Sequence, residues 1–101
     1  MFRMGQGWDR HPLAAGRRCI LGGVVFPDCP VGPVGHSDGD AVCHAITDAV
    51  LGAAGLGDIG CHFPDTDPRW KDADSLELLR KAVVLVAGAG LRVGTVDCTV
   101  I

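Results

Sequence analysis

Tyrosine is absent from this sequence, and its aromatic complement stops at three Phe and two Trp. An interior of stacked rings is thereby excluded, and Val, Leu, Ile and Ala must fill the core. Positive charge is also scarce: nine Lys and Arg stand against twelve Asp and Glu, for a net charge of −3. Nucleic acid and anionic membrane are disfavoured as partners, because both call for clustered basic side chains. A phosphate ligand stays open, since a metal ion or a helix N-terminus can meet its charge without a basic residue. The five cysteines, Cys19, Cys29, Cys43, Cys61 and Cys98, are odd in number and form no C-x-x-C pair. With no signal peptide in front of them, they point to the reducing cytoplasm, mostly as small buried hydrophobes or inert thiols. No apolar run approaches the ~20 residues of a membrane span. The longest, near Ala82 to Ala87, lies inside an amphipathic pattern, so a soluble protein is expected.

What is present is a chain of 101 residues, 48% hydrophobic, enough for one domain over residues 1–101 with a real core. Fifteen glycines reserve many backbone positions for tight turns or close approaches. Chemistry concentrates in His36-Ser37-Asp38-Gly39-Asp40-Ala41-Val42-Cys43-His44, with Asp9-Arg10-His11 before it and Gly57-Asp58-Ile59-Gly60 and Phe63-Pro64-Asp65-Thr66-Asp67 after it.

Phe2 to Trp8 is strand-like and ends at Asp9-Arg10-His11, before Pro12. Side chains alternate on an extended segment, so Asp9 and His11 share a face and Arg10 takes the other. A D-x-H at a strand end can give one metal two ligands, although the same pair also occurs simply at surfaces. Cys19 to Pro27 predicts two short strands about Gly22-Gly23, a hairpin turn signal. Asp28 to Gly35, broken by proline and glycine, predicts an extended loop leading to His36.

Ser37 and Asp38 are both competent N-caps for a helix over Gly39 to Ala54, which Gly55 and Gly57 end. Asp40, His44, Thr47 and Asp48 make one polar stripe on that otherwise apolar helix. No Lys, Arg, Glu or Gln occurs between Gly39 and Leu56, so the stripe is expected to face a cavity and not water. The Asp58 and Phe63 to Pro68 stretches read as site-lining loops, or as plain turns. Asp74 or Ser75 starts a second helix, with Glu77 completing a capping box, and Leu76, Leu79, Ala82, Val83 and Val86 as its apolar stripe. Leu91 to Ile101 alternates as a last strand. This order predicts an α/β (α+β) sandwich, a mainly antiparallel or mixed sheet covered on one face by helices.

If Asp9, His11 and His44 share a metal, one carboxylate and two imidazoles leave the fourth tetrahedral position open, the catalytic pattern for zinc. Such a position can take a phosphate oxygen and withdraw charge from phosphorus. Asp40 or Asp48 is placed to hold the second ring nitrogen of His44. His36, directly before the helix, either positions phosphate oxygens or serves as a neutral turn residue.

The sequence resembles the 2-C-methyl-D-erythritol 2,4-cyclodiphosphate synthase family of non-mevalonate isoprenoid (terpenoid) biosynthesis. Gly7-Trp8-Asp9-Arg10-His11, His36-Ser37-Asp38-Gly39-Asp40 with His44, and Gly57 through Pro68 carry the likeness, continued by Lys71, Ala73, Asp74 and Ser75. The resemblance implies a lyase that converts 4-diphosphocytidyl-2-C-methyl-D-erythritol 2-phosphate to the cyclic diphosphate and CMP. It implies that Asp9, His11 and His44 ligate zinc, that His36 is catalytic, and that magnesium or manganese bridges the diphosphate. Substrate contacts are implied for Asp9, Arg10, His11, His36, Ser37, Asp58, Ile59, Gly60, Phe63, Pro64, Asp65, Thr66 and Asp67. The family is a cytoplasmic homotrimer with active sites between subunits. Arg10 and Trp8 depart from its usual residues, and its members run longer, with a cytidine-binding loop and a catalytic Thr beyond the last residue here. A single domain cut short at the C-terminus is therefore expected, and a cytidylyltransferase domain upstream stays open. Two other readings stand beside this one: a metal-dependent phosphohydrolase, and a catalytically incomplete fragment that binds metal or joins a trimer.

Overall fold

A computed structural model describes residues 1–101. The chain is a small α+β structure whose strands are short and antiparallel. Strand β1 (Leu13–Ala15) pairs with β4 (Val31–Pro33), and β2 (Ile20–Leu21) pairs with β3 (Val24–Val25). These are two separate two-stranded ladders. Three helices follow: α1 (Ala41–Ala53), the single-turn α2 (Ile59–His62) and α3 (Ser75–Gly88), with a 3-10 turn at Pro68–Trp70.

The β2–β3 hairpin turns where expected. Gly22 (φ +61°) and Gly23 (φ +80°) both take left-handed backbone, as the two central positions of a type I′ turn require. Their N–H groups donate to the two carboxylate oxygens of Asp40, at 2.8 and 2.7 Å. Asp40 is also the N-cap of α1, accepting from the Cys43 N–H at 3.1 Å. One buried side chain thus joins the hairpin to the helix, and α1 starts at Ala41, later than a cap at Ser37 or Asp38 would give.

Helix α1 packs on α3. Val50, Ala54 and Val86 form the centre of the core, with Ile46, Leu56 and Leu91 against it. Leu51 and Ala82 are fully buried, and Leu78 nearly so. The buried face of α3 is Ser75, Leu78, Ala82 and Val86. It is rotated from the expected stripe: Leu76 and Val83 are exposed, because α1 lies on the Leu78 side. Glu77 bonds Arg80 at 3.2 Å with its side chain, so the cap of α3 is Asp74 alone, accepting from Leu76 N–H.

Three other expectations change. Phe2 to Trp8 and Leu91 to Ile101 alternate like strands but belong to no ladder, since alternation marks a face without supplying a partner backbone. Asp28 to Gly35 contains β4, made possible by pairing with Leu13–Ala15, a segment that gives no strand signal of its own. The N-terminal segment instead crosses α1. A Cβ on Gly5 or Gly7 would collide with the carbonyls of Ala49 and Ala45. Two extended residues advance about 7 Å and four helical residues about 6 Å, so the segment runs antiparallel to the helix over its alanine ridge. Gly7→Ala is expected to destabilise the chain by about 1–3 kcal/mol through overpacking, measured by urea unfolding. An unchanged midpoint would show that the segment lifts away freely.

Candidate active site

Three elements bring the chemistry together. The segment leading into β1 supplies Asp9 and His11, the loop after β4 supplies His36 and Ser37, and the first turn of α1 supplies His44. Asp9 Oδ2 lies 2.7 Å from His11 Nε2 and 3.1 Å from His44 Nδ1, and the two nitrogens are 3.2 Å apart. These three can hold one metal ion. A tetrahedral zinc with bonds of about 2.0–2.1 Å spaces its ligand atoms about 3.3 Å apart; two sides of the observed triangle lie within about 0.2 Å of that, and the Asp9–His11 side is about 0.6 Å shorter.

The chemistry of the donors agrees with the spacing. His11 Nδ1 donates to the Val34 carbonyl at 2.9 Å, and a carbonyl only accepts. The proton therefore sits on Nδ1, and Nε2 turns a lone pair toward Asp9 Oδ2. A lone pair and a carboxylate oxygen 2.7 Å apart repel unless a cation or a proton lies between them. His11 and Asp9 are about four-fifths covered at their side chains, which strengthens that demand.

His44 is buried and its far nitrogen is held, but not by an aspartate. Nε2 meets Ser75 Oγ at 2.7 Å and Ser37 Oγ at 3.0 Å. Asp40 is committed to the hairpin and the cap, and Asp48 accepts from the Ile59 N–H at 2.8 Å. The polar stripe of α1 is indeed turned inward: Asp40, His44 and Thr47 are buried. Only His44 in it faces the metal-binding atoms, while Thr47 donates to the Cys43 carbonyl at 2.7 Å. Burial in the company of Asp40 pushes the Cys43 thiol up to about 12, so this cysteine is an inert core residue.

His36 lies before the cap and not at the helix start. Its Nε2–H donates to the Asp67 carbonyl at 2.9 Å, and its own carbonyl accepts from Asp72 N–H at 2.7 Å. Asp72 takes a left-handed φ of +59° there. The loop of Phe63 to Asp67 is thereby tied to the loop before α1. Asp67 caps the 3-10 turn and chelates Arg69 with one oxygen, at 2.9 and 2.7 Å, and that guanidinium holds its carboxyl below the ordinary range. Pro64, Asp65 and Thr66 form the turn ahead of it, the last two exposed, and Phe63 packs edge-on against Trp70 at 5.1 Å.

Asp58, Ile59 and Gly60 are on α2, where Asp58 caps the Cys61 N–H at 2.9 Å. No hydrogen bond links them to the Asp9, His11 and His44 face. Arg10 is exposed and borders a cleft with His11 and Pro12, beside that face. The residues that sequence reasoning passed over are Asp38 and Ser75, which it read only as helix starters. Asp40 caps α1 and Asp74 caps α3, so the further cap-competent residues beside them, Ser37, Asp38 and Ser75, were the available signal.

A model of the YgbB family matches residues 2–101. The 2-C-methyl-D-erythritol 2,4-cyclodiphosphate synthase of Dechloromonas aromatica (strain RCB) is 63% identical over 100 residues, 99% of this chain and 62% of the relative. A bifunctional IspD/IspF enzyme of Albidiferax ferrireducens (strain ATCC BAA-621 / DSM 15236 / T118) is 60% identical over 100 residues, 99% of this chain and 24% of that protein. Among solved structures, a CDP-bound form of 2C-methyl-D-erythritol-2,4-cyclodiphosphate synthase superposes with a TM-score of 0.79 at 55% identity. That match covers 87% of this chain and 58% of the other. The chain spans about three fifths of the length of the single-function relatives it matches.

Proposed function

The chain belongs to the YgbB family, and from that premise we propose that it forms the metal-binding part of a 2-C-methyl-D-erythritol 2,4-cyclodiphosphate synthase. The reaction is intramolecular: an oxygen of the 2-phosphate bonds to the β-phosphorus of the CDP group, the bond from that phosphorus to the CMP oxygen breaks, and CMP leaves. Rate then comes mostly from positioning and charge neutralisation. The observation that carries this reading is the convergence of Asp9 Oδ2, His11 Nε2 and His44 Nδ1 on one point.

A divalent ion held there, zinc by its donor set, supplies positive charge to a phosphate oxygen when bound. The chain's own residues do the rest. His36 Nε2 stays on the Asp67 carbonyl, which fixes the ring, and Nδ1, which has no partner in the chain, is left to face the phosphates. By holding Asp67, the same ring keeps the Phe63 to Asp67 loop over the site. The Arg10 side of the cleft and the backbone of Ser37, whose hydroxyl is buried against His44 Nε2, meet the phosphates, and Asp58 to Gly60 meet the rest of the substrate. The family resemblance implies a second divalent ion, magnesium or manganese, which would supply further positive charge to the diphosphate. The whole protein is read as a cytoplasmic homotrimer in which a layered sandwich, helices on one face of a sheet, builds sites between subunits. Five free cysteines suit a reducing compartment, and no helix is long and apolar enough to cross a membrane.

The test is incubation with 4-diphosphocytidyl-2-C-methyl-D-erythritol 2-phosphate, zinc and magnesium, followed by phosphorus NMR. The expected result is CMP together with a cyclic diphosphate. Linear phosphate products would instead make the protein a phosphohydrolase, and metal binding without turnover would leave it a binding fragment.

A further inference from the structure

His11 and His44 reach the metal face through different nitrogens, and only His11 has its proton placed by a group that cannot donate. Ser37 and Ser75 stand against His44 Nε2, and a hydroxyl can give or take a proton. If Ser75 donated to Nε2, the imidazole proton would move to Nδ1, into the space between Asp9 and His11, and the metal face would be blocked. The next shell decides. Asp38 Oδ1 accepts from Ser75 Oγ, and Asp38 Oδ2 accepts from the Ser75 backbone N–H at 3.0 Å. Asp38 is fixed in turn, since its own N–H donates to the Ala73 carbonyl at 3.0 Å and its Oδ1 takes the Asp40 N–H at 3.0 Å.

A carboxylate is acceptor-only and charged, and its contact with Ser75 Oγ is far shorter than the 3.4 Å from Ser75 Oγ to Ser37 Oγ, so the single hydroxyl proton of Ser75 goes to Asp38. The Ser75 oxygen then meets His44 as an acceptor, at 2.7 Å from Nε2. We propose that Asp38 and Ser75 are positioning residues for the metal site, acting in series to keep the His44 proton on Nε2 and its Nδ1 lone pair on the ion. The relay runs between elements. Asp38 lies in the loop before α1, Ser75 is the first residue of α3, and His44 is on α1, so the start of α3 orients a ligand that α3 does not carry. This inference rests on the reading of Asp9, His11 and His44 as the metal face.

The experiment is a zinc titration of the chain against a chromogenic chelator, for wild type, Ser75→Ala, Ser75→Thr, Asp38→Ala and the Asp38→Ala/Ser75→Ala double variant. Loss of a partner to a metal-bound imidazole weakens binding about 10–100-fold, and Ser75→Ala is expected in that range. Ser75→Thr keeps the hydroxyl and is expected to restore binding. Because Asp38 acts through Ser75, the double variant should bind zinc no more weakly than the weaker single variant, a non-additivity that loss of two unrelated contacts would not produce. In the zinc-loaded chain the His44 Nε2–H resonance should appear downfield in wild type and in Ser75→Thr, and move upfield in Ser75→Ala. Zinc affinity of Ser75→Ala within twofold of wild type, or fully additive losses, would overturn the relay. Should Asp38→Ala not fold, the Ser75 variants decide alone. A wild-type chain that binds no zinc, or one whose zinc survives His11→Ala, would remove the metal face itself, an outcome distinct from failure of the relay.

Discussion

Replacing His11 with alanine is expected to abolish tight zinc binding and to cut turnover of the whole protein by more than about a hundredfold. The reasoning is a count of donors. A catalytic zinc keeps three protein ligands, and two remaining atoms, Asp9 Oδ2 and His44 Nδ1, hold the ion only weakly. The lost charge at phosphorus is worth several kcal/mol, each ~1.4 of which is tenfold in rate. The fold should survive: His11 gives up one hydrogen bond to Val34 at a part-exposed position, a cost of about 1 kcal/mol. Metal analysis after dialysis and a urea unfolding curve separate the two effects. Stoichiometric zinc in His11→Ala would sink the assignment of this ligand.

Asp40→Ala is expected to cost about 3–5 kcal/mol, a large share of the stability of a small domain. The side chain is fully buried and takes three backbone N–H groups. Loss of a helix cap costs about 1 kcal/mol, and loss of each part-buried hairpin N–H bond to the carboxylate about 1.5 kcal/mol or more. The same bonds carry a pH dependence. Burial pushes the Asp40 carboxyl up, but the N–H groups of Cys43, Gly23 and Gly22 outweigh it and hold it below the ordinary value of 3.8. A depressed folded pKa gives stability that is complete above the unfolded pKa and is lost as pH falls through the folded one. The stability gap between wild type and Asp40→Ala should therefore be full at neutral pH and shrink below about pH 4. Denaturant unfolding at both pH values measures it, and a gap independent of pH would contradict the carboxylate role.

The parts of this molecule that could be read from the sequence are those set by neighbours in the chain. Gly22-Gly23 dictates a turn by itself, and the periodicity of Ala41 to Ala53 and the Asp74 cap dictate helices locally. Asp9 and His11 share a face because they are two apart in extended backbone. What was hidden depends on partners distant in the chain. Leu13 to Ala15 becomes a strand only because Val31 to Pro33 lies beside it, whereas Val96, Cys98 and Val100 alternate clearly and stay exposed. The polar stripe on α1 was seen, but side-chain type alone did not distribute its work: Asp40 went to the hairpin, Asp48 to α2 and Thr47 back to its own helix. His44 was left to two serines that capping logic had already used.

The triangle of Asp9, His11 and His44 has one more consequence, in the statistics of the unfolded chain. All five cysteines are free, so no covalent bond ties the start of the chain to its interior. Residues 35 and 33 apart nevertheless meet at one point. An ion seated there closes a loop as a disulfide would, and for a loop of this length the chain-entropy model assigns about 4 kcal/mol. The N-terminal arm, which otherwise rests on a ridge of alanines, is then fastened by chelation, and the persistence of the native chain becomes a function of free metal concentration.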